Sequence, residues 1–141
     1  MSRIEYASQT AEQSGFSLVE LLIVATIIAI LGALAYPSFS AYLLKNQRLA
    51  AQKSLYALQL QQEEWRISHA QYATDISDLD PRLADHTHYS FSITQASSSH
   101  YQLTATVKAG LAQAQDRQGA QSCQTLTLNR SHEKTPVECW E

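Results

Sequence analysis

Gly15, Phe16 and Glu20 are the residues whose types and spacing point most directly to chemistry in this 141-residue chain. Cutting the peptide bond after Gly15 would leave a free amine on Phe16, four residues before the Glu20 carboxylate. After Glu20 no charged residue occurs until Lys45. A carboxylate at the centre of an apolar membrane helix costs about 2.5 to 3.5 kcal/mol to insert, so its presence needs a reason. Two readings stand side by side. Glu20 is either a boundary residue, one turn into the helix where the positive end of the helix dipole favours an anion, or the partner of the Phe16 amine. Such a pair is satisfied within one chain or between neighbouring subunits once both are removed from water.

The other chemistry-bearing residues form weaker constellations. His86 and His88 point to one side of an extended segment, with Asp85 beside them but no evident third and fourth ligand. His69, His100 and His132 are scattered, so surface histidines are favoured over a zinc site. Asp78 and Asp80 suit a solvated acidic loop better than a complete calcium shell. Serine, histidine and aspartate are present without a Gly-x-Ser-x-Gly nucleophile turn, and there is no phosphate-binding glycine loop. These absences argue against an enzyme and imply no cofactor and no metal. Lys45, Arg48 and Lys53 form a small basic group on a helix, read either as a solvated or headgroup-facing side or as a DNA contact. The net charge is −3, and it becomes −2 once residues through Gly15, which carry Arg3 against Glu5 and Glu12, are set aside. Neither value gives bulk attraction to nucleic acid, although a local patch remains open. Cys123 and Cys139 are the two cysteines. In an extracytoplasmic domain they pair; otherwise they are two buried thiols.

These groups must be positioned by few elements. The 24 residues between Glu20 and Lys45 would measure about 36 Å as a helix, enough to cross a bilayer. The region before them is polar and no small-residue cleavage site follows, so an anchor fits better than an ordinary secretory leader. Pro37 lacks a backbone donor and Gly32 lowers helix propensity, which marks Gly32 to Pro37 as a place for the helix to stretch or unwind. Gly32 reads equally as a small residue permitting close helix contact. The helix continues to about Ser68, with Leu44, Ala51, Leu55, Leu58 and Trp65 on one apolar face. Residues His69 to Thr87 read as a loop with at most a short turn around Ile76 to Leu79. Period-two alternation predicts strands at Tyr89 to Ile93, Tyr101 to Val107 and Cys123 to Leu128. Gly110 to Gln121 reads as a flexible surface loop. The expected fold is α+β, a long N-terminal helix whose C-terminal half packs on a small antiparallel sheet.

The stretch from Gly15 through Phe16 and Glu20 to Pro37 resembles the prepilin signature of type IV pilins. Gln62-Glu63-Glu64-Trp65, Tyr72-Ala73-Thr74-Asp75, Tyr101 to Thr106, Cys123 to Leu128 and Cys139-Trp140 are similar to PilE-type minor pilins of gammaproteobacteria. The chain departs from that pattern in a leader of fifteen residues whose one basic residue is Arg3, and in Gln124 and Arg130 where glycines are common. The resemblance implies three segments: a leader over 1–15, a transmembrane and filament-core helix over 16–38, and a periplasmic globular domain over 39–141. It further implies cleavage between Gly15 and Phe16, methylation of the Phe16 amine, and a Glu20 that guides packing into the filament. The implied function is a minor subunit of a type IV pilus, supporting assembly and hence twitching motility, adhesion or DNA uptake. A DNA-binding competence pilin and a type II secretion pseudopilin are the alternatives. The implied partners are other major and minor pilins, the prepilin peptidase and methyltransferase, the inner-membrane assembly platform, a tip adhesin and DNA.

Overall fold

The computed structural model describes residues 15–141; the expected leader up to Ser14 lies outside the described residues. Helix α1 runs without a break over Leu18–Ser68 and passes through Pro37. The described residues fall into two compact units, one ending at Pro37 and the other spanning Ser38–Glu141.

In the N-terminal unit, α1 is long and apolar enough to cross a membrane, and its large side chains from Leu18 to Leu34 are exposed. Thr26, a polar residue within this run, donates its hydroxyl to the Leu22 carbonyl at 2.7 Å. That bond satisfies the hydroxyl inside its own helix, where no water is needed.

The C-terminal unit is built on a four-stranded antiparallel sheet in the order β1-β2-β5-β6. Its strands are β1 (Tyr89–Thr94), β2 (Gln102–Val107), β5 (Thr125–Asn129) and β6 (Lys134–Thr135). The pairing sets Ser92 opposite Thr104, Thr104 opposite Thr127, and Thr127 opposite Thr135. Alternation then sorts the residues. Tyr89, Leu103, Ala105, Leu126 and Leu128 join Ala51, Leu55 and Leu58 of α1 in one core, while Ser90, Ser92 and Thr94 remain exposed. Each buried leucine contributes about 1.5 to 3 kcal/mol of apolar transfer.

Three sequence expectations change. The third predicted strand starts two residues later than expected, because Cys123 donates its N–H to the Asp116 carbonyl at 3.0 Å and is bonded to Cys139. The cysteines are therefore a disulfide and not free thiols. Gly110 to Gln121 is no plain loop: it holds a 3-10 turn at Ala112–Gln115 and a two-stranded sheet of β3 (Arg117–Gln118) and β4 (Gln121–Ser122). Gly119, at φ 58°, supplies the left-handed backbone that so tight a turn requires. Finally, Gln124 and Arg130 stand where glycine is common, yet the positive-φ non-glycine residues are Gln95 and His132. The bend after β5 places its left-handed residue at His132, which leaves Arg130 free of the glycine requirement.

Candidate functional site

Gly15 and Phe16 precede the first turn of α1, and Phe16 is 78% exposed. Ser17 begins the ladder by accepting the Leu21 N–H at 3.2 Å. Glu20 lies in the first turn, where the helix dipole favours an anion. This end of the helix is thus a charged group set on an otherwise apolar surface.

Farther along α1 the buried face carries a line of polar residues between the leucines: Arg48, Gln52, Gln59 and Gln62. Their spacing of four, seven and three residues keeps them on one side of the helix. Each meets a different segment of the domain. Gln52 donates to the Cys139 carbonyl at 2.8 Å, and Gln59 to the Asn129 carbonyl at 3.0 Å. Gln62 grips the peptide unit of Ala73 twice, donating to its carbonyl at 3.0 Å and accepting its N–H at 2.9 Å. Gln52 and Gln62 thus satisfy backbone groups that lie outside any strand, and Gln59 one on the last residue of β5, as buried backbone requires.

Arg48 corrects the sequence reading of a basic group with Lys45 and Lys53. It is 1% exposed, donates to Asp116 at 3.1 Å and to Gln118 at 2.9 Å, and so is withdrawn from any surface contact. Burial pushes the Asp116 carboxyl above its usual range, against the opposing pull of Arg48. The pair locks α1 onto the 113–118 segment more than it adds net stability. Gln113 completes this junction by donating to the Leu44 carbonyl and to the Tyr89 hydroxyl, each at 3.0 Å.

A different cationic site lies where α1 ends. Arg66 donates to the His69 carbonyl at 2.7 Å and to the Ser98 carbonyl at 3.3 Å. Arg130 reaches the adjacent Ser99 carbonyl at 3.3 Å. Their guanidinium carbons lie 5.9 and 5.8 Å from the centroid of the Tyr72 ring, cation–π distances that place both beside a buried aromatic. Tyr72 is itself held, donating its hydroxyl to Glu63 at 3.1 Å and its N–H to the Ser97 carbonyl at 3.0 Å. Tyr101 donates to the same Glu63 at 3.2 Å; burial first, then the Glu63 charge, pushes its hydroxyl well above the ordinary tyrosine range. Ser97 ties the β1–β2 turn by accepting the His100 N–H at 3.0 Å. The result is two arginines braced on the turn between β1 and β2, with Ser98, Ser99 and His69 exposed beside them. Among the described residues the ion pairs are Arg48–Asp116 and Arg82–Asp80, so neither of the two arginines is neutralised by a carboxylate. Rigid guanidinium groups of this kind suit phosphate. Hydropathy alone gave no sign of them, since Arg66 and Arg130 are 64 positions apart.

The remaining sequence candidates take structural roles. His86 accepts the N–H groups of His88 and Tyr89 on Nδ1, at 3.1 and 3.2 Å. Its ring is held below the usual histidine range by burial and by the neighbouring His88 and Lys108 charges. Among the described residues no group of three or more possible ligands gathers for a metal. Asp75 caps the 3-10 turn Ile76–Asp78, accepting from Ser77, and Asp80 caps Pro81–Ala84 while pairing with Arg82. The side-chain hydrogen bonds from Ser77 and Arg82 hold these two carboxyls below their usual range.

Comparison with known families gives two matches. Residues 37–127 match the profile of the type IV minor pilin ComP, DNA uptake sequence receptor. Residues 11–36 match the prokaryotic N-terminal methylation motif. A search of curated proteins finds no match.

Proposed function

The chain belongs to the family of the type IV minor pilin ComP, DNA uptake sequence receptor, and on that premise we propose that its Arg66–Tyr72–Arg130 clasp holds duplex DNA by its phosphates during uptake. It is a minor type IV pilin with a single apolar helix for an inner-membrane anchor and a place in a cell-surface pilus. The observation that carries the DNA reading is the pair of unneutralised arginines braced on the β1–β2 turn. Phosphate contacts of this kind position a protein on a duplex, and the exposed Ser98 and Ser99 beside them offer hydroxyls for further contacts.

The same proposal extends to the N-terminal end. Residues 1–15 are a leader removed by a prepilin peptidase between Gly15 and Phe16, after which the Phe16 amine is methylated. Glu20 then meets the amine of an adjacent pilin and sets its depth in the filament, while Gly32 and Pro37 let the helix adjust over 16–38. Residues 39–141 form the periplasmic domain, a placement supported by the Cys123–Cys139 disulfide, which belongs to an oxidising compartment. The assembly platform, other major and minor pilins and a tip adhesin are the remaining partners. The protein acts by packing and binding, with no catalytic step.

DNA affinity of the detergent-solubilised protein, measured against salt, tests the clasp. Each phosphate contact removed lowers the slope of log K against log salt by about 0.9. Arg66→Gln and Arg130→Gln should each flatten the slope by about that amount, and Arg82→Gln, whose charge is already paired with Asp80, should leave it unchanged. Unaltered affinity in the double arginine variant would remove the clasp from the DNA interface.

A further inference from the structure

We propose that the outer face of α1 between Leu49 and Ile67 is a docking seam for the helix of a different pilin, one with an acidic residue opposite Lys53 and a basic residue opposite Glu63. This rests on the chain's place in a pilus and is independent of the DNA-binding reading. Spacing defines the seam. Leu49, Lys53, Tyr56, Leu60, Glu63 and Ile67 follow one another at four, three, four, three and four residues, the 3.5-residue average that keeps one edge of a helix toward a partner helix. All six are exposed, Leu60 at 62% and Ile67 at 87%, while Ala51, Leu55 and Leu58 of the same helix fill the core. The seam runs for about 27 Å along the C-terminal unit. An apolar ridge of that length left outside the core marks a protein interface.

A hollow in the seam has the form that a facing helix requires. Tyr56, Gln59, Leu60 and Glu63 surround an open space of about 220 Å³, with His132 at its side. Positions i, i+3, i+4 and i+7 of a helix are the four corners of the hole that receives a knob from its partner. The walls are set before any partner arrives. Tyr56 meets the Trp140 ring edge-on, 5.7 Å between centroids, and Glu63 accepts from the hydroxyls of Tyr72 and Tyr101 at 3.1 and 3.2 Å. Those bonds leave the carboxylate its charge. Among the described residues the ion pairs are Arg48–Asp116 and Arg82–Asp80, so Lys53 and Glu63 are a cation and an anion that no counter-ion of the described chain neutralises.

These two charges select the partner. α1 also supplies the membrane anchor, and anchors that cross one membrane in the same direction set neighbouring helices parallel. In a parallel pair of identical chains in register, Lys53 faces Lys53 and Glu63 faces Glu63. A slip of one heptad sets Lys53 against Leu60 and Glu63 against Tyr56. Either arrangement takes charges from water without a counter-ion, which opposes pairing with a second copy. A helix with the reversed pair of charges satisfies both. The same face turns DNA away, because Glu63 repels phosphate and Leu60 and Ile67 offer it no hydrogen bond.

The test places a photocrosslinking amino acid at Glu64, exposed beside the seam, in the full chain in its own cells, and identifies the adducts in sheared pili by mass spectrometry. The expected adduct joins this chain to a different pilin. Lys53→Glu should reduce its yield on the order of tenfold, and so should Glu63→Gln, which keeps an acceptor for the two tyrosines. Near-ultraviolet circular dichroism of each purified variant in detergent checks that it is folded. An adduct between two copies of this chain would overturn the inference, as would an adduct with a different pilin whose yield both variants leave unchanged. Pili that contain the chain and give no protein adduct, or an adduct with DNA, would overturn it too. Absence of the wild-type chain from pili would instead overturn the pilus placement on which it rests.

Discussion

Replacing Gln62 should unfasten the segment that carries Tyr72, and the size of the effect can be worked from its contacts. Gln62 is fully buried and Ala73 is 2% exposed. The Gln62 amide provides one acceptor and one donor for the Ala73 peptide, at 2.9 and 3.0 Å. Gln62→Met keeps the length and volume of the side chain but removes both bonds, leaving a buried N–H and a buried carbonyl without partners. Each such group costs about 1 to 3 kcal/mol. Helix propensity barely changes between glutamine and methionine, and the apolar end gains little in a site lined by a peptide. The expected loss is therefore about 2 to 6 kcal/mol, a large share of the roughly 5 to 15 kcal/mol that holds an ordinary domain together. Urea denaturation of the protein in detergent, followed by near-ultraviolet circular dichroism, measures the loss. Hydrogen exchange at the Ala73 amide locates it. Because Tyr72 is the neighbouring residue and underlies both arginines, DNA affinity should fall while the number of cations stays the same. A Gln62→Met protein within about 0.5 kcal/mol of wild type, with the Ala73 amide still protected, would refute the reasoning.

Reducing the Cys123–Cys139 bridge, which links positions 16 apart, should cost about 3 kcal/mol on the chain-entropy account, read as a lower urea midpoint with reductant present. Tyr89 is fully buried and accepts a bond from Gln113; burial pushes its hydroxyl up to about 12. The unfolded chain ionises this tyrosine first, so stability should hold below pH 10 and fall by about 2 to 3 kcal/mol as pH rises to 12. Tyr89→Phe should flatten that fall, leaving a residual slope from Tyr101. His86, held low in the fold, gives the acid-side counterpart. Above the ordinary histidine value both states are neutral; below it the unfolded chain binds the proton first and the fold loses stability. His86→Asn, which retains an acceptor for the two N–H groups, should reduce that acid sensitivity in a pH series of thermal unfolding.

The long helix and the sheet were legible because burial leaves a period. Ala51, Leu55 and Leu58 face the core where the apolar stripe predicted, and the three longest strands fall on the alternating segments. The polar half of the same helix face was not legible. Arg48, Gln52, Gln59 and Gln62 share its period, but their burial depends on carbonyls and a carboxylate supplied by distant segments. Strands β3, β4 and β6 have two residues each, too few for alternation to register. Of the regions proposed to be functional, Gly15, Phe16 and Glu20 stood out because a lone carboxylate in an apolar run has few explanations. The clasp did not, because chain topology alone brings Arg66, Tyr72, Ser98 and Arg130 together. The basic residues that sequence proximity did group, Lys45, Arg48 and Lys53, are divided by the burial of Arg48.

The central claim is that one subunit both enters the filament and holds DNA through its arginine clasp. Its most direct test is the amount of labelled duplex DNA retained by pili sheared from cells, comparing wild type with Arg66→Glu, Arg130→Glu. The account predicts that the variant chain is still found in the pili, beginning at methylated Phe16, and that its pili retain far less DNA. Pili that carry the variant and hold as much DNA as wild type would contradict it.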